Sequence, residues 1–288
     1  MQRNRRVLLI LLFIGLAVLP QSRVAGQAYE PTYATAFADL APQNRDTLAA
    51  GAEVRVLSAV GMRQVILDLG PKFERATGHR LTVSFDSGGV ILKRLEAGET
   101  VDVVMIPRSG IERLAGAGKL VAGSVTDLAA SRVGLAVRKG APKPDISSPA
   151  AFKRALLDAK AIACPDPALG GSSGVHIAKL FERLGIAEAL KSKLVFSSAP
   201  GQAATMPGYM VATGKADIAL HQVQELMAVP GIEIVGPLPG DLQGTFVFSA
   251  AIMAGAKEVK AAKALVDFLR TPEARAIIKA KGMDPAIP

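Results

Sequence analysis

Residues 53–77 read EVRVLSAVGMRQVILDLGPKFERAT, and two periods in this stretch decide the fold class. Val54–Ser58 is a short, largely apolar and β-branched run, which predicts a strand. Met62–Thr77 carries Val65, Ile66, Leu69 and Phe73 at helical spacing, with Pro71 as a kink point. Only small or compact residues, Ala59-Val60-Gly61, separate the two. A strand, a tight turn and a helix open a βαβ unit.

The unit repeats outward from there. Leu81–Phe85 reads as a strand, Val90–Ala97 as a helix and Val101–Ile106 as a strand. Ile111–Ala117 is a helix and Arg132–Arg138 a strand. Gly140–Pro149 holds three prolines and reads as a connector. A second series follows, with strands at Ala161–Cys164, Leu194–Ser197, Asp217–Leu220, Ile232–Val235 and Thr245–Met253. Its helices fall at Ala151–Ala159, Val175–Leu184, Ile186–Leu190, Tyr209–Thr213, Val223–Ala228 and Ala256–Arg270. A last one, Ala274–Lys281, is started by Thr271-Pro272. The expected architecture is α/β, two lobes each with a largely parallel sheet flanked by helices, joined by two crossovers; two independent domains in series, or one larger sheet, are the alternatives the pattern leaves open. Residues 53–138 and 238–288 would form the first lobe and 139–237 the second.

The chain of 288 residues begins differently. Arg3, Arg5 and Arg6 precede an unbroken apolar run, Val7–Leu19, and small residues follow at Ala25, Gly26 and Ala28. This is the layout of a secretory signal peptide over residues 1–28, cleaved after Gly26 or Ala28. The alternative is a buried N-terminal helix. The run is too short for a membrane span, which needs about 20 residues. Residues 29–52 read as a leader. The formal charge of +9 includes four arginines of the signal segment, so the mature chain is near +5. No basic stripe marks a nucleic-acid binder, and the lack of tryptophan leaves few stacking platforms. Cys164, alone in the chain, excludes an internal disulfide framework and reads as a small buried hydrophobe; a reactive thiol is the alternative.

In open α/β sheets, ligands bind beyond the carboxyl ends of the strands. Small residues gather at those junctions here: Ser58 to Gly61 with Met62 next, Asp86-Ser87-Gly88-Gly89, Pro107-Arg108-Ser109-Gly110, and Gly170-Gly171-Ser172-Ser173-Gly174. Such loops let backbone N–H groups approach an anion. None fits a Walker loop or a Gly-x-Gly-x-x-Gly fingerprint, and no metalloprotease or hydrolase motif occurs. No metal or cofactor is expected. His79 falls in a helix-to-strand turn facing solvent, His176 in the first turn of its helix, and His221 at a strand end, as a ligand contact or a general acid/base. Gln222 beside it, and Thr205 and Tyr209 around the short helix, complete the candidate set.

From Val54 to about Ala286 the chain resembles the molybdate-type periplasmic substrate-binding proteins of ABC importers. The resemblance rests on Val54-Arg-Val-Leu-Ser-Ala59, Lys72-Phe-Glu-Arg-Ala-Thr-Gly78, Leu95-Glu-Ala-Gly-Glu-Thr-Val-Asp-Val-Val104, Phe181-Glu-Arg-Leu-Gly185 and Ala264-Leu-Val-Asp-Phe-Leu-Arg-Thr-Pro272. It implies a type II two-lobed fold closing on an oxyanion, a periplasmic location and a membrane permease as partner, with the binding protein a monomer. Two serines and a tyrosine that contact the oxyanion in that family fall here on Gly61, Gly88 and His221. The exchange implies a roomier pocket for a larger anion such as a small carboxylic acid. Ala136-Val-Arg-Lys-Gly-Ala-Pro-Lys-Pro-Asp-Ile-Ser147 and Gln224-Glu-Leu-Met-Ala-Val-Pro-Gly-Ile-Glu-Ile-Val-Gly236 are similar to the aconitate-isomerase branch of the same scaffold. That branch implies a proton shift in a tricarboxylate, with His221, Ser87, Ser172 and Arg108 as places to look for acid/base and carboxylate-clamping roles.

Overall fold

The structure, a computed structural model, describes residues 51–197 and 206–286. The expected signal segment, nearly all of the leader, and Thr205 lie outside those residues. β1 (Glu53–Ala59) leads through a 3-10 turn, Val60–Met62, into α1 (Arg63–Thr77). β2 (Arg80–Asp86), α2 (Gly88–Glu96), β3 (Val103–Pro107) and α3 (Arg108–Gly116) repeat the unit, and β4 (Thr126–Arg138) follows. Next come α4 (Pro149–Asp158), β5 (Ile162–Pro165), α5 (Ser172–Arg183), α6 (Ala187–Leu190) and β6 (Leu194–Ser197). The second series ends with α7 (Pro207–Ala212), β7 (Ile218–Gln222), α8 (Val223–Met227) and β8 (Ile232–Pro237). β9 (Thr245–Ile252), α9 (Val259–Phe268), α10 (Pro272–Ala280) and β10 (Asp284–Pro285) close the chain.

Local chemistry sets these bounds. α1 buries Val65, Ile66, Leu69 and Phe73 on one stripe and runs through Pro71 without a break. It stops at Gly78, whose φ of 73° is left-handed and whose N–H returns to the Glu74 carbonyl, a stop that glycine makes without steric cost. The side chains of Ser87, Ser148 and Thr271 each accept a backbone N–H at the start of α2, α4 and α10, a cap worth about 1 kcal/mol.

Two sheets result. In the first lobe the order is β2-β1-β3-β9-β4, with β10 on the other edge of β4. In the second it is β6-β5-β7-β4-β8. Three strands of each lobe are parallel, as expected; β9, β4, β8 and β10 pair antiparallel. The reason is β4, which belongs to both sheets. Thr126 to Arg132 pair with β9, and Val133 to Val137 pair with β7. The chain therefore changes lobe inside a continuous strand, ahead of the proline-rich stretch 140–149. Nothing in the composition of a strand marks where its partner changes. The return crossing lies between β8 and β9.

Each lobe has its own core. Met62, Phe73, Met105 and Phe248 are buried in the first, and Leu135, Phe152, Cys164 and Phe181 in the second. Fully burying one such large side chain contributes roughly 1.5–3 kcal/mol. Burial pushes the Cys164 thiol up to about 12, so the thiolate that a reactive cysteine needs is suppressed. Asp102, buried in the first lobe, accepts the N–H groups of Arg55 at 2.9 Å, Lys257 at 2.7 Å and Glu258 at 3.0 Å. It thereby pins the entry of α9 to β1. Among the described residues, no helix is long and apolar enough to cross a membrane.

Candidate functional site

The carboxyl ends of β1, β5 and β7 converge on a cleft between the lobes. Its cavity, about 80 Å³, is lined from the first lobe by Gly61, Ser87, Gly88, Pro107 and Phe248. From the second come Asp166, Ser172, Ser173, Ser197, His221, Gln222 and Glu225. This is where strand order and lobe contact coincide, the usual place for a ligand in such folds. Among the described residues, no lysine or arginine lines it. A polar hollow of about 340 Å³ on the first lobe, with Asp127, Arg270 and Arg275, shares no residue with the cleft.

The candidate residues divide. Gly61, Ser87, Gly88, Ser172, Ser173, His221 and Gln222 come together around the cavity. Gly174 sits behind them: a Cβ there would lie 3.0 Å from the Pro165 carbonyl oxygen, so glycine allows α5 to start tight against β5. Ser58 is fully buried, and its hydroxyl donates to the Ala59 carbonyl at 3.2 Å. Met62 belongs to the first core, and Tyr209 is not among the lining residues. Arg108 turns away. Its guanidinium meets Asp127 at 2.7 Å and Glu112 at 3.2 Å, so it is engaged on the surface and does not clamp anything in the cleft. His176 is held structurally, its Nε2–H donating to the Leu242 carbonyl at 3.1 Å and its ring edge-on to Phe246. His79 is half-buried against Phe73 rather than solvent-facing, and its Nδ1 accepts the Ala52 N–H.

The donors that remain are neutral. α5 begins without a side-chain cap, so its first N–H groups are open, with the positive end of the helix dipole behind them. Ser87 is committed twice: its hydroxyl donates to the Leu169 carbonyl of the opposite lobe at 3.2 Å and accepts the Val90 N–H. The lips of the cleft therefore touch.

His221 and Glu225 form the second feature. Both are buried, and Nδ1 lies 3.5 Å from Glu225 Oε1. Nδ1 also accepts the N–H of Gln222 at 2.7 Å. A ring nitrogen that accepts carries no proton, so in the neutral ring the proton sits on Nε2. Nε2–H is the edge left for the cleft. Burial lowers the His221 pKa to about 4 and raises that of Glu225 to about 8, the latter opposed by the Arg63 guanidinium. At pH 7 the pair is therefore neutral imidazole beside neutral carboxylic acid. Arg63 itself stacks over Phe85 at 5.2 Å.

The expectation of extra room does not hold at Gly61. A Cβ there would lie 2.6 Å from Phe248 Cζ and 3.1 Å from both Gln222 Oε1 and Gln224 Nε2. The space of the absent serine is filled by these three side chains. Asp166, Glu225 and Phe248 were not singled out from the sequence. Asp166 directly follows β5 and Glu225 lies in the first turn of α8, which directly follows β7, so the strand-end rule could have found both. Phe248 carries no such signal. Among the described residues, no group of His, Cys, Asp and Glu gathers as a metal site.

Comparison with known proteins bears on this cleft. The family model described as bacterial extracellular solute-binding protein matches residues 54–284. An aconitate isomerase of a Pseudomonas species is 35% identical over 236 residues, 80% of this chain and 87% of that protein. The molybdate-binding protein ModA of Azotobacter vinelandii is 32% identical, covering 81% of this chain and 90% of the relative. The solved periplasmic molybdate-binding protein of Azotobacter vinelandii superposes with a TM-score of 0.67 at 22% identity, over 82% of this chain and 99% of that one. The molecule thus has the two-lobed fold of periplasmic binding proteins.

Proposed function

The chain belongs to the bacterial extracellular solute-binding protein family, and from that premise we propose that it is exported and holds a small carboxylic acid anion between its lobes. The observation that carries the reading is the donor set. The open N-terminus of α5, the Gln222 amide and His221 Nε2–H are neutral donors spread along one cleft, while Gly61 has no room for a hydroxyl. Spread donors suit the separated oxygens of a di- or tricarboxylate better than a compact tetrahedral oxyanion. Hinge closure at β4 would present the loaded form to a membrane permease.

A thermal-shift panel of molybdate, tungstate, sulfate, phosphate, citrate and trans-aconitate tests this, because a ligand of the native state raises the midpoint by mass action. Citrate or trans-aconitate is expected to give the largest saturable shift. A saturable shift with molybdate and none with a carboxylate would contradict the reading.

A second reading is favoured by one specific observation, the buried His221–Glu225 pair. On a bound unsaturated tricarboxylate, Glu225, which ionises as pH approaches 8, would in its carboxylate form take a proton from the methylene carbon. The electron pair would move through the double bond, and the proton would return to the far carbon. His221 Nε2–H would hydrogen-bond the carboxylate oxygen on which charge develops. No water or redox partner is needed, and a base with a pKa near the working pH is suited to the task. The same identity to an aconitate isomerase supports it. Conversion of trans- to cis-aconitate by the purified protein, lost in Glu225→Gln, would establish it; no turnover above background would remove it.

A further inference from the structure

The carbonyl oxygen of Gly61 can only accept a hydrogen bond, and that fixes a chain of side chains behind the cleft. Gln224 Nε2 lies 3.3 Å from it and so must be the NH2 edge of that amide. The same nitrogen donates to Gln222 Oε1 at 2.7 Å. The other edge of Gln224, its oxygen, accepts the Ser131 hydroxyl at 2.6 Å. Reversing Gln222 would set two NH2 groups 2.7 Å apart with no acceptor between them. One orientation is therefore self-consistent: the Gln222 oxygen is committed to Gln224 and its NH2 is turned away. Gln222 lines the cavity, and its Nε2 has no acceptor among the described residues. The network is almost free of solvent, with Ser131, Gln222 and Gln224 all buried. It also sits where the lobes meet, since Gly61 belongs to the first lobe, Ser131 to the shared strand β4 and Gln222 to the second lobe.

We propose that Gln224 is a positioning residue that locks the Gln222 amide as an obligate donor, so that the cleft selects ligands presenting an unprotonated oxygen at that point. The proposal rests on the carboxylate reading of the cleft. It explains why Gly61 must lack a side chain, since a Cβ would press on both amides. It also assigns specificity to a residue with no place in the lining of the cavity.

Two measurements test it on the full chain. In the ligand-free protein, side-chain amide exchange by NMR should show the Gln224 NH2 protected and the Gln222 NH2 exchanging faster. The reverse order would overturn the lock whether or not any carboxylate binds. In calorimetric titrations with trans-aconitate, Gln224→Glu replaces the NH2 with an acceptor, which forces Gln222 to turn its own NH2 inward and its oxygen to the cleft. Affinity should fall at least about tenfold, the scale of one lost hydrogen bond to a charged group. Ser131→Ala leaves the Gly61 constraint intact and should stay within about threefold. Equal losses in the two variants, or none in Gln224→Glu, would overturn the positioning role. Failure of the wild-type protein to bind trans-aconitate would instead sink the carboxylate reading, with the exchange order still deciding the lock.

Discussion

Gly61→Ser should destabilise the protein by roughly 1–3 kcal/mol, the range for forcing extra atoms into a packed site, and should not create molybdate binding. The new Cβ would lie 2.6 Å from Phe248 Cζ, closer than carbon atoms approach. Phe248 is 1% exposed and held in β9 between β3 and β4, so its ring could withdraw only into the small cavity it lines. The two glutamines at 3.1 Å could move only by giving up the bonds to Ser131 and to each other. Urea unfolding measures the loss, and a titration with molybdate measures the second half of the claim. A variant as stable as the wild type that gains molybdate affinity would show that the serine site is merely vacant.

The second large effect is a pH profile. Glu225 has its folded pKa raised from 4.5 to about 8, so the stability linked to it is full below pH 4.5 and is lost as pH rises through 8. His221 has its folded pKa lowered from 6.5 to about 4, so its stability is full above pH 6.5 and is lost as pH falls through 4. Between pH 4.5 and 6.5 the two slopes oppose and cancel. From pH 6.5 to 8 only the Glu225 slope remains, and stability should fall by about 2 kcal/mol at 1.36 kcal/mol per unit. Glu225→Gln removes that alkaline loss and leaves the rise from pH 4 to 6.5 due to His221. Urea unfolding of both proteins from pH 4 to 9 gives the difference. Parallel profiles would mean that Glu225 is ionised in the fold, and the neutral pair would be withdrawn.

How much of this was legible in the sequence follows from the range of each interaction. β1 and α1 announce themselves because a strand and a helix each carry a local period. The cleft loops are legible for a related reason: small residues at strand ends are a local signal, and Gly61, Ser87, Gly88, Ser172, Ser173, His221 and Gln222 all reach the cavity. Arg108 shows the limit. It has the right chemistry beside a strand end, but Asp127 lies within reach and takes it. Gly61 shows the limit more sharply. Its missing side chain looks like added space until the fold brings Phe248 and Gln224 against it. The Ser131–Gln224 bond joins residues 93 positions apart, and no local pattern encodes it. The partner change inside β4 is hidden because both halves of the strand obey the same alternation.

The central claim is that neutral donors at the start of α5, with Gln222 and His221, hold a carboxylate in the interlobe cleft. Calorimetric titration of trans-aconitate into the wild type and into Ser172→Pro tests it most directly. Proline fits the first helical position and removes one open N–H without breaking the helix, so folding should survive while binding suffers. The account predicts saturable binding at one site per chain, weakened by at least about tenfold in the variant. Equal affinity in both proteins, or saturable molybdate binding with no carboxylate binding, would contradict it.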